Sequence, residues 1–268
     1  MSEIHPTAVV HPGAKIGANV RVGPFAFVDE HVEIGDGCVL ASHVAVVGHT
    51  TIGEGCRLHS GAAVGGEPQD LGYKGEVSYV RVGKRCTIRE YVTIHRGTKP
   101  GTVTEVGDDC FLMALVHLAH NVRLGNRVII ANGTMLGGYV EVGDRAFISG
   151  SVTVHQFVKI GRLAMVGGAA GLSKDVPPFC LVQSMGRNVI AGLNIVGMRR
   201  AGITPDERKA IKEAFRTLYQ GGMNVHQAAE VLKGRFAQGP ASEFAPFIAQ
   251  AHRGLCRFAA GAETEEDE

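Results

Sequence analysis

Four histidines in the middle of the chain lie in runs whose residue types suit proton transfer. They are His95 in the run TIHRG, His117 and His120 in HLAH, and His155 in VHQF. The free pKa of imidazole is close to neutral pH, so a neutral histidine beside a hydroxyl or amine can act as a general base. These runs predict an enzyme in which one histidine removes a proton from an acceptor group.

Two other interpretations of these histidines are a zinc site and a purely structural role. Zinc needs three or four ligands at suitable spacing, and no further ligand pattern accompanies the His-x-x-His pair at 117 and 120. Four clustered histidines also argue against a non-catalytic scaffold. The residue types alone leave general-base catalysis and a structural role open, and they do not predict a metal site.

The elements that hold the histidines follow from a six-residue repeat. Branched aliphatic residues recur every six positions from 4 to 64, return between 82 and 94, and run unbroken from 106 to 172. A period of six matches neither an α-helix nor a plain alternation. It predicts a short strand followed by a corner, with three such faces in each coil of a parallel β-helix.

Small residues accompany this aliphatic ladder. Most aliphatics are followed four positions later by a small or β-branched residue, and four cysteines occupy that position: Cys38, Cys56, Cys86 and Cys110. We interpret these thiols as buried and inert. Glycine commonly follows the aliphatic directly, as at Gly107, where we expect a turn with permissive dihedral angles.

Lapses of the repeat divide the chain into segments. Residues 1–190 are predicted to form the β-helix, with loops outside the coil near 65–81 and 97–105. A C-terminal helical domain is expected over 191–262, followed by an acidic tail over 263–268. The polar, glycine-rich first loop is a good location for functional residues.

Three helices are predicted in the C-terminal domain. Thr204 followed by Pro205 is an N-cap signal, and Gly221 marks the end of that helix. Further helices are expected over about 225–236 and 242–258.

Composition and charge exclude several classes of function. The 268 residues carry a formal net charge of +1, and no eighteen consecutive residues are apolar. Neither nucleic-acid binding nor membrane insertion is therefore expected. Six cysteines without paired spacing indicate a reducing compartment such as the cytoplasm.

The chain resembles the UDP-N-acetylglucosamine acyltransferases over essentially its whole length. The resemblance rests on QDL at 69–71, TIHRG at 93–97, HLAH at 117–120, VHQF at 154–157 and DVPP at 175–178. It implies a left-handed β-helix, a homotrimer with active sites between subunits, and a cytoplasmic enzyme of a Gram-negative bacterium. The implied reaction is the first step of lipid A synthesis. It moves a 3-hydroxyacyl chain from acyl carrier protein to the 3-hydroxyl of the UDP-sugar, with no cofactor or covalent intermediate.

The resemblance also implies roles for single residues. His120 matches the general base, and Gly138 matches the glycine whose backbone N–H faces the developing oxyanion. The other matched residues line the substrate pocket: Asp70, His95 and His117 near the sugar and acyl group, His155 and Gln156 as further substrate contacts, Asn194 at the uracil, Arg200 at the nucleotide phosphates, and Gly168 in the acyl-chain pocket. Tyr139 stands at a further substrate-binding position, although its residue type differs from the family's.

Three positions depart from the family's pattern. Asn121 stands where Asp usually follows the base, Gly72 where Lys is common, and Tyr139 where His is frequent. An amide orients the imidazole but does not stabilise an imidazolium by charge, so N-acylation of a 3-amino UDP-sugar is an alternative. Another hexapeptide acyltransferase that uses coenzyme A is a further alternative. Gly168 leaves room in the pocket and predicts a long acyl chain.

Overall fold

Three sheets form the sides of a β-helix in the computed structural model, which describes residues 2–259. Sheet A consists of Glu3–Ile4, Arg21–Val22, Val39–Leu40, Arg57–Leu58, Thr87–Ile88, Phe111–Leu112, Ile129–Ile130, Phe147–Ile148, Met165–Val166, Cys180–Val182, Val189–Leu193 and Arg257–Phe258. Sheet B consists of Val9–Val10, Phe27–Val28, Ala45–Val46, Ala63–Gly66, Thr93–His95, His117–Leu118, Met135–Leu136, Thr153–Val154 and Gly171–Leu172. Sheet C consists of Lys15–Ile16, Glu33–Ile34, His49–Ile52, Tyr79–Val82, Val103–Val106, Arg123–Leu124, Glu141–Val142 and Lys159–Ile160.

The pairing register shows where the chain leaves the coil. Neighbouring strands are normally 18 positions apart and parallel. The spacing grows to 30 positions at Leu58 and to 24 at Ile88. The additional residues form two loops, 67–78 and 96–102, on the edge between sheets B and C, and the loops are joined by hydrogen bonds from Ser78 Oγ to the Gly97 carbonyl and from Arg96 to Tyr73 Oη.

The aliphatic ladder fills the interior of the coil. Its members from Val22 to Leu172 are buried, whereas those of the first coil remain partly open because no coil precedes it. The four ladder cysteines are buried as predicted, and each thiol donates to a glycine carbonyl, as Cys38 does to Gly53 at 3.1 Å. Parallel pairing and this inward packing explain why small and branched residues suffice for the core.

The glycines that follow the aliphatics have a different role from the one predicted. Left-handed backbone occurs two residues later, as at Asn19 and Asn121, where φ is 56° and 61°. Gly107 is not left-handed. A Cβ there would lie 2.5 Å from the carbonyl oxygen of Gly125 in the next coil, so close backbone approach is what requires glycine.

The C-terminal part packs four α-helices and a 3₁₀ helix behind the coil. They are α1 (Ile195–Arg200), α2 (Pro205–Gln220), α3 (Val225–Arg235), the 3₁₀ helix (Pro240–Glu243) and α4 (Phe244–Ala249). Thr204 caps α2 together with Glu207, and α2 ends at Gly221, as predicted. No helix over residues 2–259 is long and apolar enough to span a bilayer.

Two details of the C-terminal part differ from the sequence-based expectation. Helix α1 was not predicted, and the helix expected over 242–258 is wrong beyond residue 249. The chain instead turns at Gly254, where φ is 70°, and returns to sheet A as Arg257–Phe258. The strand Val189–Leu193 crosses the expected domain boundary at 190, and the predicted acidic tail lies outside the described residues.

Candidate active site

His120 lies at the corner between sheets B and C, two residues after the strand His117–Leu118. Its side chain is buried. The same corner position is occupied by Gly138 one coil later and by Gln156 one coil after that. The repeat therefore stacks three of the predicted site residues along one edge of the rod.

Gly138 forms the surface on which the His120 ring rests. A Cβ at Gly138 would lie 2.5 Å from Nε2 of His120, so a larger residue would displace the imidazole. The Gly138 carbonyl accepts from the Phe157 N–H, but its own N–H has no acceptor among residues 2–259. The residue that packs against the imidazole thus has a backbone donor without an acceptor among these residues, which suits an oxyanion site.

Asn121 sets the tautomer of His120. Its Oδ1 lies 3.1 Å from Nδ1 of His120 and accepts a hydrogen bond from the Thr98 backbone N–H at 3.1 Å. A backbone N–H only donates, so the atom it faces is the amide oxygen, and an amide oxygen only accepts. Nδ1 of His120 must then carry the proton, which leaves Nε2 as a bare acceptor.

Asp70 is the charged group nearest to this bare nitrogen. Its Oδ2 lies 3.7 Å from Nε2 of His120, while its Oδ1 accepts from the Gly72 N–H at 2.8 Å within the first loop. The Asp70 side chain is 41% exposed, so the gap between the two residues opens to solvent. The pair suits a substrate that presents one hydrogen-bond donor to the carboxylate and another to the imidazole nitrogen.

Arg96 holds the first loop against the coil. Its Nη1 donates to the Gly65 carbonyl at 3.0 Å, and its Nη2 donates to Tyr73 Oη at 2.9 Å and to Glu67 Oε1 at 3.1 Å. The guanidinium also lies 5.5 Å from the Tyr73 ring centroid. Sequence reasoning gave Arg96 no role, although it stands in the TIHRG run beside His95.

His95 and His117 form a second, neutral pair of imidazoles on sheet B. Their rings meet edge to face with centroids 5.1 Å apart, and Nδ1 of His117 lies 2.7 Å from Thr93 Oγ1. Burial, followed by the neighbouring His117, lowers the pKa of His95 to about 4, and burial also lowers the pKa of His117. Nδ1 of His95 is buried without a hydrogen-bond partner among the described residues.

Tyr139, His155 and Gln156 border the cluster on the next coils. The Tyr139 ring meets His120 edge to face at 5.3 Å and stacks on Phe157 at 4.9 Å. His155 and Gln156 are exposed, and Nδ1 of His155 lies 3.2 Å from the Gln156 carbonyl.

Three predicted residues lie away from His120 within the chain. Asn194 caps α1, with its Oδ1 accepting from the Gly197 N–H at 2.9 Å and its Nδ2 donating to the Leu163 carbonyl at 2.9 Å. Arg200 is exposed at the end of α1. A Cβ at Gly168 would be 3.7 Å from the nearest atom, the Gly150 carbonyl oxygen, so packing does not require glycine there.

No group of three or more His, Cys, Asp or Glu side chains in the described part of the chain is arranged to hold a metal ion.

Comparisons with known proteins match this chain to the same kind of acyltransferase along almost its whole length. Residues 175–256 match the family model described as UDP N-acetylglucosamine O-acyltransferase, domain 2, and residues 104–138 match the bacterial transferase hexapeptide model. A Thermodesulfovibrio yellowstonii protein named acyl-[acyl-carrier-protein]–UDP-N-acetylglucosamine O-acyltransferase is 42% identical, covering 96% of this chain and 100% of its own.

Solved structures give the same result for the fold. The UDP-N-acetylglucosamine acyltransferase of Campylobacter jejuni is 38% identical, covers 96% of this chain and 100% of its own, and superposes with a TM-score of 0.90. That of Francisella novicida is 35% identical, covers 99% of this chain and 100% of its own, and gives 0.92. The predicted left-handed β-helix with a C-terminal helical part is confirmed. With this identity over nearly its entire length, the chain belongs to the UDP-N-acetylglucosamine O-acyltransferase family.

Proposed function

We propose that this protein transfers a 3-hydroxyacyl chain from acyl carrier protein to the 3-hydroxyl of UDP-N-acetylglucosamine, the first step of lipid A synthesis. The observation that carries the proposal is the bare Nε2 of His120 beside the free N–H of Gly138, in a chain of this family. Acyl transfer from a thioester needs a base and an oxyanion donor close together, and His120 and Gly138 pack against each other.

The steps of the reaction follow from which atoms of His120 and Gly138 carry a proton. Nε2 of His120 takes the hydroxyl proton as the sugar oxygen bonds to the thioester carbonyl carbon. The carbonyl oxygen becomes an oxyanion facing the Gly138 N–H, a donor whose loss typically costs about 3 kcal/mol of transition-state stabilisation. The carbon–sulfur bond then breaks, and the carrier's thiolate leaves with the proton from Nε2.

Neutral and anionic acceptors around His120 would position the sugar. Asp70 suits a sugar hydroxyl because its Oδ2 faces the same gap as Nε2. The lowered pKa values of His95 and His117 keep both rings uncharged at neutral pH, so neither places a positive charge beside the substrate. Tyr139, His155 and Gln156 continue this lining along the next two coils.

A homotrimer would complete the site. Residues that point outward from sheet C are mostly charged, namely Lys15, Glu33, Arg81, Glu105, Arg123, Glu141 and Lys159. Those on sheet B are apolar or neutral, namely Val9, Phe27, Ala45, Ala63, Thr93, His117, Met135 and Thr153. Phe25, Tyr91 and Leu115 are exposed at the corner between sheets A and B. Such a face favours burial against another subunit, and it carries the His117 side of the site.

Asn194 and Arg200 would bind the nucleotide in a neighbouring subunit's site, since neither contacts the His120 cluster of its own chain. A guanidinium suits the phosphates because it presents several donors in a fixed plane. Light scattering should give three times the 28.3 kDa of one chain. A monomer in solution would exclude this arrangement.

The acceptor atom has a second candidate, the 3-amino group of a UDP-sugar analogue. Asn121 favours it, because the amide adds no negative charge to stabilise an imidazolium, and an amine nucleophile relies less on such a base. Parallel assays with both UDP-sugars decide between them, and the ratio of their kcat/KM values identifies the physiological acceptor.

The decisive experiment is acyl transfer from 3-hydroxyacyl carrier protein, comparing the wild type with His120→Ala. We expect the rate to fall by at least a hundredfold, since a general base typically contributes that much. The control is His226→Ala, which removes an exposed histidine of α3. Equal rates for His120→Ala and wild type would refute the assignment. Transfer from coenzyme A thioesters alone would instead indicate the other hexapeptide class.

A further inference from the structure

The side chain of Asn121 could face His120 with either of two atoms, and only one of them leaves Nε2 free. With Oδ1 toward Nδ1 of His120, at the observed 3.1 Å, the imidazole carries its proton on Nδ1. A rotation of the amide by 180° would present the NH₂ group instead. Nδ1 would then have to accept, and Nε2 would carry the proton and could not act as a base.

Thr98, in the loop 96–102, distinguishes the two orientations. Its backbone N–H donates to Asn121 Oδ1 at 3.1 Å, and its hydroxyl donates to the same oxygen at 3.2 Å. The rotated amide would bring its own hydrogens against the Thr98 N–H. Thr98 is buried, so water does not replace these hydrogen bonds.

Tyr139 fixes the hydroxyl of Thr98 in turn. Its Oη lies 3.0 Å from Thr98 Oγ1. The Thr98 hydroxyl has one hydrogen, which goes to Asn121, so Tyr139 must be the donor of this second hydrogen bond. The Tyr139 ring has little freedom, because it stacks on Phe157 with an interplanar angle of 13° and meets the His120 ring at 83°.

We propose that Thr98 and Tyr139 are positioning residues that act through Asn121. The chain of hydrogen bonds from Tyr139 to Thr98 to Asn121 fixes the amide orientation, and the amide selects the Nδ1–H tautomer of His120. A carboxylate at position 121 would not need this device, because both of its oxygens accept. The catalytic consequence rests on the proposed function, whereas the tautomer is a property of the folded protein alone.

The first test measures the tautomer without any substrate. Imidazole ¹⁵N chemical shifts are recorded on histidine-labelled wild type, Thr98→Val, Tyr139→Phe and Thr98→Ser, with the His120 signals identified by their loss in His120→Gln. We expect the Nδ1–H form in wild type and Thr98→Ser. In the other two variants the backbone N–H of residue 98 still favours the observed amide orientation, but the loss of a hydroxyl bond should leave a detectable minor fraction of the Nε2–H form. Wild-type shifts in Thr98→Val and Tyr139→Phe would overturn the proposal. Thr98→Val keeps the shape of threonine and Tyr139→Phe keeps the ring stack, so both should fold.

The second test uses the rate of acyl transfer in two backgrounds. Thr98→Val should lower kcat by roughly three- to tenfold with KM unchanged, as expected for loss of one buried hydrogen bond that orients a base. In the Asn121→Asp background, Thr98→Val should lower kcat by less than about twofold, because a carboxylate presents an accepting oxygen to Nδ1 of His120 in either orientation. Equal losses in both backgrounds would show that Thr98 acts otherwise. A wild type inactive with every acyl donor would contradict the proposed function and leave the tautomer measurement as the test of the network.

Discussion

The imidazole of His120 lies on the Cα of Gly138, one coil further along the rod, with no space for a side chain between them. A Cβ built on Gly138 would be 2.5 Å from Nε2 and 3.0 Å from Nδ1 of the ring. The N–H of the same glycine has no acceptor among residues 2–259. One position therefore determines where the base lies and also carries a backbone donor without a partner in that range.

Replacing Gly138 by Ala should remove activity without unfolding the protein. The methyl group must push the imidazole aside, and a displacement of about 1 Å in a catalytic group can cost a hundredfold in rate. We expect kcat to fall at least about a hundredfold, with the melting temperature changed by only a few degrees. The control is Gly234→Ala on α3, where a Cβ would meet no atom within 4 Å. Retained activity in Gly138→Ala would exclude the glycine from the catalytic corner.

Arg96→Lys should loosen the loop 67–78 and weaken substrate binding. Lysine is a single point donor and cannot replace the guanidinium bonds to Gly65, Glu67 and Tyr73. We expect kcat/KM to fall by roughly tenfold, since charge-assisted hydrogen bonds contribute about 1.5–3 kcal/mol.

Limited trypsin digestion gives this prediction a readout independent of activity. Cleavage after Lys74, detected by mass spectrometry, should be faster in Arg96→Lys than in wild type. Arg89→Lys is the matched control, because Arg89 pairs with the neighbouring Glu90 and does not touch the loop. An unchanged cleavage rate would mean that the loop does not depend on Arg96.

His95 should make the folded protein sensitive to acid. Its folded pKa is lowered to about 4 by burial, and its unfolded pKa is near 6.5, so the unfolded chain binds the proton first. Above pH 6.5 His95 is neutral in both states and the free energy of unfolding is at its full value. As the pH falls from 6.5 to 4, protonation of His95 in the unfolded chain lowers that free energy. Allowing for solvent screening of a half-buried ring, the loss is about 2 kcal/mol.

Urea unfolding of wild type and His95→Gln at pH 7.5 and 4.5 measures this effect. The fall in unfolding free energy between the two pH values should be smaller in His95→Gln than in wild type, by about 2 kcal/mol. In His226→Gln, a substitution at an exposed position of α3, the unfolding free energy should fall between the two pH values by as much as in wild type. Equal falls in wild type and His95→Gln would show that His95 is not held neutral in the folded state.

The repeat made the coil and much of the site predictable from sequence, because a six-residue period places residues 18 positions apart on top of each other. That rule places His120, Gly138 and Gln156 above one another, whereas their roles were predicted from the family resemblance. The roles of Thr98 and Arg96 do not, since both belong to a segment where the period lapses and the spacing rises to 24 or 30. The orientation of the Asn121 amide depends on a donor from that loop. Helix α1 was missed because six residues are too few for a clear helical period.

Substituting Gly168 should alter the preference for acyl-chain length. The backbone at Gly168 is not left-handed, and a Cβ would lie 3.7 Å from the Gly150 carbonyl oxygen and 3.9 Å from Ser149 Cβ, so a Cβ is accommodated there without strain. If this corner lines the acyl-chain pocket, Gly168→Met excludes the end of a long chain. Each methylene kept out of the pocket removes about 0.8 kcal/mol of binding. Two excluded methylenes therefore lower kcat/KM for the long donor roughly tenfold relative to a short one.

A series of 3-hydroxyacyl carrier proteins of increasing chain length, assayed with wild type and Gly168→Met, measures this ratio. Wild type should prefer the long donors and Gly168→Met the shorter ones. Gly234→Met, at an open position on α3, should keep the wild-type profile. If kcat/KM in Gly168→Met is lower for every donor by the same factor, the acyl chain lies elsewhere. A general loss of stability reduces kcat/KM equally for all donors, whereas a shortened pocket reduces it more for the long ones.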